Sequence, residues 1–158
     1  MNPDAIHAAL SGGSPDERRA VVDALPPNDF KQTAGALLAS DNPATRVIGM
    51  CALIRRYCDG PNPDVAADLA LATHRFAVTM IESRPDSGLL LFTVSGIALQ
   101  YVTACMLLGR SDEVIRFADE WIPYYEARGE SENLPALKVA RIGALLECNR
   151  IDEVDAGI

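Results

Sequence analysis

With 158 residues, 49% of them hydrophobic and 23% charged, the chain has the balance of one packed domain and not of a disordered segment. A formal net charge of −8, with no basic stretch carrying interleaved aromatics, argues against nucleic acid as a direct partner, because phosphate binding needs a Lys/Arg surface to displace counterions. Aromatic residues make up only 6%, and no window sustains period-two alternation, so the chain reads as all-α.

Caps and breakers divide it into nine predicted helices, at 3–11, 15–25, 29–39, 43–58, 63–83, 87–108, 112–128, 134–148 and 152–158. Ser14-Pro15-Asp16-Glu17 has the form of a capping box, a serine N-cap answered by a glutamate three residues on. Asn42-Pro43 and Asn62-Pro63 repeat a cap-then-proline start, Asp86 or Ser87 can cap the sixth helix, and Ser111 and Asn133 open the next two. Gly12-Gly13, Pro26-Pro27, Asp59-Gly60, Arg84-Pro85, Gly109 and Gly129 mark the stops. Links of two to six residues predict antiparallel consecutive helices.

The first half carries an echo at an offset of twenty-eight, in which the helix opened by Ser14-Pro15 aligns with that opened by Asn42-Pro43, with Pro, Arg, Ala and Leu in register. The stretch from Leu37 through Asp41, Arg46 and Ala52-Leu53 resembles a HEAT repeat, and the resemblance extends over residues 14–58. It implies that Asp41 in the turn and Arg46 in the following helix hold neighbouring units together, with Arg18 as the equivalent of Arg46 in the first unit.

From Ser87 to Gly109 there is no charged residue. Such a run is long enough to span a bilayer, but Thr93, Gly96, Gln100 and Thr103 form a polar and small stripe along it, and Arg84 and Arg110 flank it symmetrically. A buried helix of a repeat is the better reading, with Gln100 a candidate hydrogen-bonding contact in a groove, unless the stripe only lets a neighbouring backbone approach through Gly96. A second echo supports the repeat. Leu107 to Val114 returns forty residues later as Glu147 to Val154, with Arg, Asp, Glu and Val in register, and the same offset pairs Ala104 with Ala144. Residues 91–154, with Ala104, Gly109 and Asp112-Glu113-Val114, resemble tetratricopeptide-type repeats, although Val114 replaces that family's usual alanine and the period exceeds its thirty-four. The two resemblances imply a right-handed α-solenoid of antiparallel helix pairs that binds a protein or peptide along a groove.

The densest aromatic group is Phe117, Trp121, Tyr124 and Tyr125. Trp121, Tyr124 and Tyr125 are candidate partner contacts, because Trp and Tyr dominate interface energetics; packing between helices would use the same residues and is the favoured reading for Phe117 and Trp121. Pro123, inside this helix, predicts a kink. After residue 110 there are eleven acids and five bases, a segment able to steer a cationic protein or peptide, although a solvated face is the commoner meaning of such a run.

Cys51, Cys58, Cys105 and Cys148 fall on apolar helix faces without a Cys-x-x-Cys pair, which predicts reduced thiols in a cytoplasmic protein. His74 reads as a half-buried helix residue and His7 as exposed. Neither sits in a nucleophile context, and no metal, calcium-loop or phosphate-loop pattern is present, so no catalytic, cofactor or metal site is expected. The predicted function is a protein–protein interaction scaffold or recognition module. The alternative is a regulatory or dimerisation segment of a larger enzyme whose effector domain is absent from this chain. The final echo stops at Ile158 after seven residues, which predicts further repeats or an effector domain beyond it and self-association through the open C-terminal end.

Overall fold

The computed structural model describes residues 3–24 and 31–154. They form eight α-helices, α1 (Pro3–Ser11), α2 (Pro15–Asp23), α3 (Lys31–Leu38), α4 (Pro43–Cys58), α5 (Pro63–Ser83), α6 (Leu91–Leu107), α7 (Ser111–Ala127) and α8 (Leu134–Glu147), then one 3₁₀ turn, Ile151–Glu153. Among the described residues there is no strand, and no helix is long and apolar enough to cross a membrane. The Pro26-Pro27 break, and the part of the ninth predicted helix from 155 to 158, lie outside the described residues.

Local chemistry accounts for most starts. At α2 the Ser14 hydroxyl accepts from Glu17 N–H at 3.2 Å and the Glu17 carboxylate accepts from Ser14 N–H at 2.6 Å, completing the capping box. Asn42 caps α4 by accepting from Ala44 N–H at 2.9 Å. Three expected caps do not form: Asn62 and Asn133 make no side-chain cap bond, and Ser111 is the first residue of α7, with Arg110 at its N-cap position. The sixth helix begins at Leu91, not at residue 87. Gly88 takes φ +78° and the Ser87 hydroxyl accepts from Leu89 N–H, so these residues turn before the helix starts. Pro123 does not interrupt α7, which runs unbroken from Ser111 to Ala127.

The ends of α6, α7 and α8 share one construction. Gly109, Gly129 and Asn149 each adopt positive φ (68°, 71° and 57°). At each end two backbone bonds close the turn: Arg110 N–H to Cys105 O and Gly109 N–H to Met106 O; Glu130 N–H to Tyr125 O and Gly129 N–H to Glu126 O; Arg150 N–H to Leu145 O and Asn149 N–H to Leu146 O. These are Schellman motifs. The forty-residue echo is thus a geometric one, with Arg110 (φ −93°, ψ 53°) and Arg150 (φ −100°, ψ 55°) leaving the turn in the same conformation.

Side-chain pairs fix the directions of the later helices. Ser111 bonds Glu147, Asp119 pairs with Arg141 at 2.6 Å and Glu126 with Lys138 at 2.6 Å, so α7 and α8 are antiparallel. Contacts of His74 with Phe117 and Trp121, and of Glu82 with Arg128, run in the same sense along α5 and α7, which are therefore parallel. Asn133 at the head of α8 bonds Phe92 and Ser95 at the head of α6, and Gly143 lies near Met106, so α6 and α8 are parallel too. One continuous apolar core runs from Ile6 to Leu145. At its centre α5 packs on α4 and α6, and α1 lies along α5 as well. The wholly buried Ala66, Ala70 and Ala77 of α5 allow that crowding.

The end of α3 is held differently. Arg18, buried in α2, donates to the carbonyls of Leu38, Gly13, Ala39 and Ser40. Arg46, buried in α4, donates to the carbonyls of Ser40 (3.1 Å) and Asp41 (3.5 Å). Both arginines thus bind backbone around the α3–α4 turn, where orphan carbonyls and the negative helix end favour a cation. The close approach of α3 to α4 needs Gly49, at which a Cβ would meet the Leu37 Cβ at 2.6 Å.

Candidate functional site

Two surfaces carry the predicted site residues, and they belong to different helices. The first is a groove of about 340 Å³ between the end of α4, α6 and the loop before α8. Gly96, Leu99, Gln100 and Thr103 enter it from α6, facing Arg55 and Asp59 of α4 and Asn133. The stripe read from the sequence is therefore not a site of backbone packing: a Cβ added at Gly96 would meet only the Asn133 side chain, at 3.6 Å. The Gln100 Oε1 is buried and has no hydrogen-bond partner. Among the described residues, five of the seven large apolar side chains left exposed, Ile48, Phe92, Leu107, Val139 and Leu146, lie on α4, α6 and α8.

Asn133 reaches this groove because it does not cap α8. Its amide donates to Phe92 O and Ser95 Oγ, both at 3.0 Å. The cap is Glu130, a buried carboxylate that accepts from the N–H groups of Glu132 (2.9 Å), Asn133 (3.0 Å) and Leu134 (3.0 Å). A negative group is stabilised at that helix end. The sequence reading missed Glu130; the only signal was an acid four residues before Leu134-Pro135.

The second surface is the aromatic seam of α5 and α7. The His74 ring meets Trp121 at 4.5 Å and Phe117 at 5.1 Å, both edge to face, while Tyr101 lies 4.6 Å from Phe117. Trp121 continues the chain of rings to Tyr124 at 5.1 Å, and the Arg128 guanidinium covers Tyr124 at 3.6 Å from its centroid. Trp121 and Tyr124 are partly exposed. Tyr125 departs from the expectation of a partner contact: it is 0% exposed, and its hydroxyl shares a 2.6 Å hydrogen bond with His74 Nε2. The length of the tyrosine side chain carries it from α7 to α5, so it ties the helices together from inside.

His74 also departs from the half-buried expectation, being fully buried. Burial, and then the neighbouring Arg75, lower its pKa to about 3, so the ring is neutral at physiological pH. His7 is half-buried, not exposed. All four cysteines are free thiols. Burial pushes Cys51 up to about 12 and Cys105 up to about 11, which keeps both protonated and poorly nucleophilic. Among the described residues no group of three or more His, Cys, Asp or Glu side chains could hold a metal ion.

The described residues form an all-helical protein, eight packed helices with a polar-lined groove between α4, α6 and the loop before α8. No family model, no curated protein and no solved structure matches the chain.

Proposed function

We propose that this chain is a helical-repeat recognition module, a right-handed α-solenoid of antiparallel pairs that takes a protein or peptide segment along the face of α4, α6 and α8. The observation that carries this reading is the 340 Å³ groove itself, in which Gly96, Gln100 and Thr103 of α6 face Arg55, Asp59 and Asn133. Its polar wall, Arg55, Asp59, Gln100 and Asn133, offers both donors and acceptors to a peptide backbone. Parallel α5 with α7, and parallel α6 with α8, support stacked pairs, tetratricopeptide-like over 91–154. Arg18 and Arg46 around one turn support the HEAT-like reading of 14–58. Trp121 and Tyr124 supply a further contact surface on the seam; Tyr125 supports it from beneath.

Selection of peptides from a random library on the immobilised full chain, followed by titration of the best binder, tests the proposal. Gln100→Ala should weaken that binder by about tenfold, the effect of one unreplaced buried hydrogen bond, and Trp121→Ala should weaken partners that reach the seam. A binder unaffected by Gln100→Ala would move the site elsewhere. A second reading, a segment of a larger assembly or a self-associating chain, draws on Val139 (68% exposed), Leu146 and Ile151 at the α8 end. Concentration-dependent light scattering abolished by Val139→Glu would favour it.

A further inference from the structure

A cavity of about 330 Å³ lies at the opposite end of α4 from the groove, where α1, α4 and α5 meet. Its charge is the reverse of the chain's. Arg46 and Arg84 line it together with His7, while among the described residues Asp41 is the one acid on its wall. Arg46 is only 6% exposed. It spends Nη1 on the carbonyls of Ser40 and Asp41, its Nε has no hydrogen-bond partner, and no carboxylate among the described residues lies within ion-pair distance of it. Burial holds its pKa below the ordinary arginine value, Arg18 and Arg84 lower it further, and Asp41 opposes them. Arg84 makes no side-chain hydrogen bond or ion pair within the described residues and is exposed. A buried guanidinium with no carboxylate partner, on the same cavity wall as a free arginine, suits an oxyanion.

The remaining polar groups on the wall face the opposite way. The hydroxyls of Ser11, Thr79 and Ser83 already donate to the carbonyls of His7 (2.7 Å), Arg75 (3.0 Å) and Thr79 (2.6 Å). They have only lone pairs left to offer, as does the Asp41 carboxylate. A matching ligand therefore presents oxyanion oxygens to the arginines and hydroxyl donors to these acceptors, with Phe76 and Met80 as its apolar floor. The size suits a small molecule, not a bare ion. We infer that this cavity binds a small polyhydroxy compound carrying an oxyanion group, a phosphate ester or a carboxylate, independently of the proposed peptide groove.

Titration of the ¹⁵N-labelled full chain by NMR, and by calorimetry, at constant ionic strength decides this. The probes are a hexose phosphate, the parent hexose, inorganic phosphate and citrate. Saturable shifts at His7, Asp41, Arg46 and Arg84 with the hexose phosphate, tighter than with inorganic phosphate and absent with the neutral hexose, are expected. Stronger binding of citrate would assign the oxyanion as carboxylate. Arg46→Gln should abolish binding, but Arg46 also holds the α3–α4 turn, so Arg84→Ala is the deciding variant. It should keep the wild-type Tm and weaken binding by about tenfold, the loss of one charge-assisted contact. Anions acting no differently from chloride, or Arg84→Ala binding as tightly as the wild type, would overturn the inference.

Discussion

Where α6, α7 and α8 end, the chain turns on its own backbone alone, whereas the end of α3 adds to its backbone bonds two side chains that arrive from other helices. The later joints need one residue at positive φ and two backbone bonds, and the identical pattern recurs at Gly109, Gly129 and Asn149. The earlier joint needs Arg18 and Arg46, both buried and both bonded to carbonyls between Leu38 and Asp41. A turn closed by backbone is insensitive to most substitutions around it, because its bonds survive a change of side chain. A turn closed by a buried guanidinium concentrates its stability in one residue, and losing that residue strands several acceptors at once.

Arg18→Met should therefore break the comparison most severely. It retains much of the buried volume but removes a charged donor from four carbonyls. Hydrogen bonds to charged groups are worth about 1.5–3 kcal/mol each and do not add fully, so a loss on the order of 3 kcal/mol is expected by urea denaturation. A loss under about 1 kcal/mol would show that the α3 joint is closed by something other than its arginine.

The next effect lies on the seam between the two regions, where α5 meets α7 through His74. The folded state holds this ring neutral, with a pKa of about 3 against an ordinary 6.5. The unfolded chain then binds the proton first. Stability from this group is complete above the ordinary value and is lost as pH falls from there towards 3, at up to about 1.4 kcal/mol per pH unit. His74→Phe should flatten that slope between pH 6.5 and 5, whatever its stability at neutral pH. Parallel slopes for variant and wild type would show that the seam opens to let the ring charge.

How much of this was legible in the sequence follows the same division. The Schellman ends were readable because Gly109 and Gly129 are themselves the conformational requirement, and the forty-residue echo repeats the residues that follow the turn. The capping box at Ser14 was readable for the same reason, since its two partners sit three residues apart. Glu130 was not, because an acid in a loop looks the same whether it is solvated or caps the next helix. Asn133 was misassigned through a real competition: its amide finds Phe92 and Ser95, forty residues away, and leaves the local cap to Glu130. In the candidate site, spacing placed Gly96, Gln100 and Thr103 on one face, and they do line one groove. Spacing could not show that Tyr125 points inward, because that depends on His74 of a helix fifty-one residues earlier. Local rules carry local structure; contacts between distant helices leave no mark in a single sequence.

The smallest expected effect tests whether the two matched turns are equivalent in energy as well as in shape. Gly109 and Asn149 occupy the same position in the echo, at φ 68° and 57°. Glycine reaches this region without a Cβ penalty, while asparagine tolerates it at some cost. Gly109→Ala imposes the penalty in full and should destabilise by about 1 kcal/mol. No heavy atom lies within 4 Å of a Cβ at Gly109, so the cost would be conformational and not steric. Asn149→Gly relieves the smaller penalty in the folded state but loosens the unfolded chain, and the two terms oppose each other. A net gain of a few tenths of a kcal/mol is expected if the folded-state term wins. The change should appear as slower hydrogen exchange at the Asn149 and Arg150 amides, which close that turn, more than as a shift of Tm. Faster exchange at those two amides would mean that asparagine holds the turn with its side chain, and that the two joints match in geometry but not in the interactions that stabilise them.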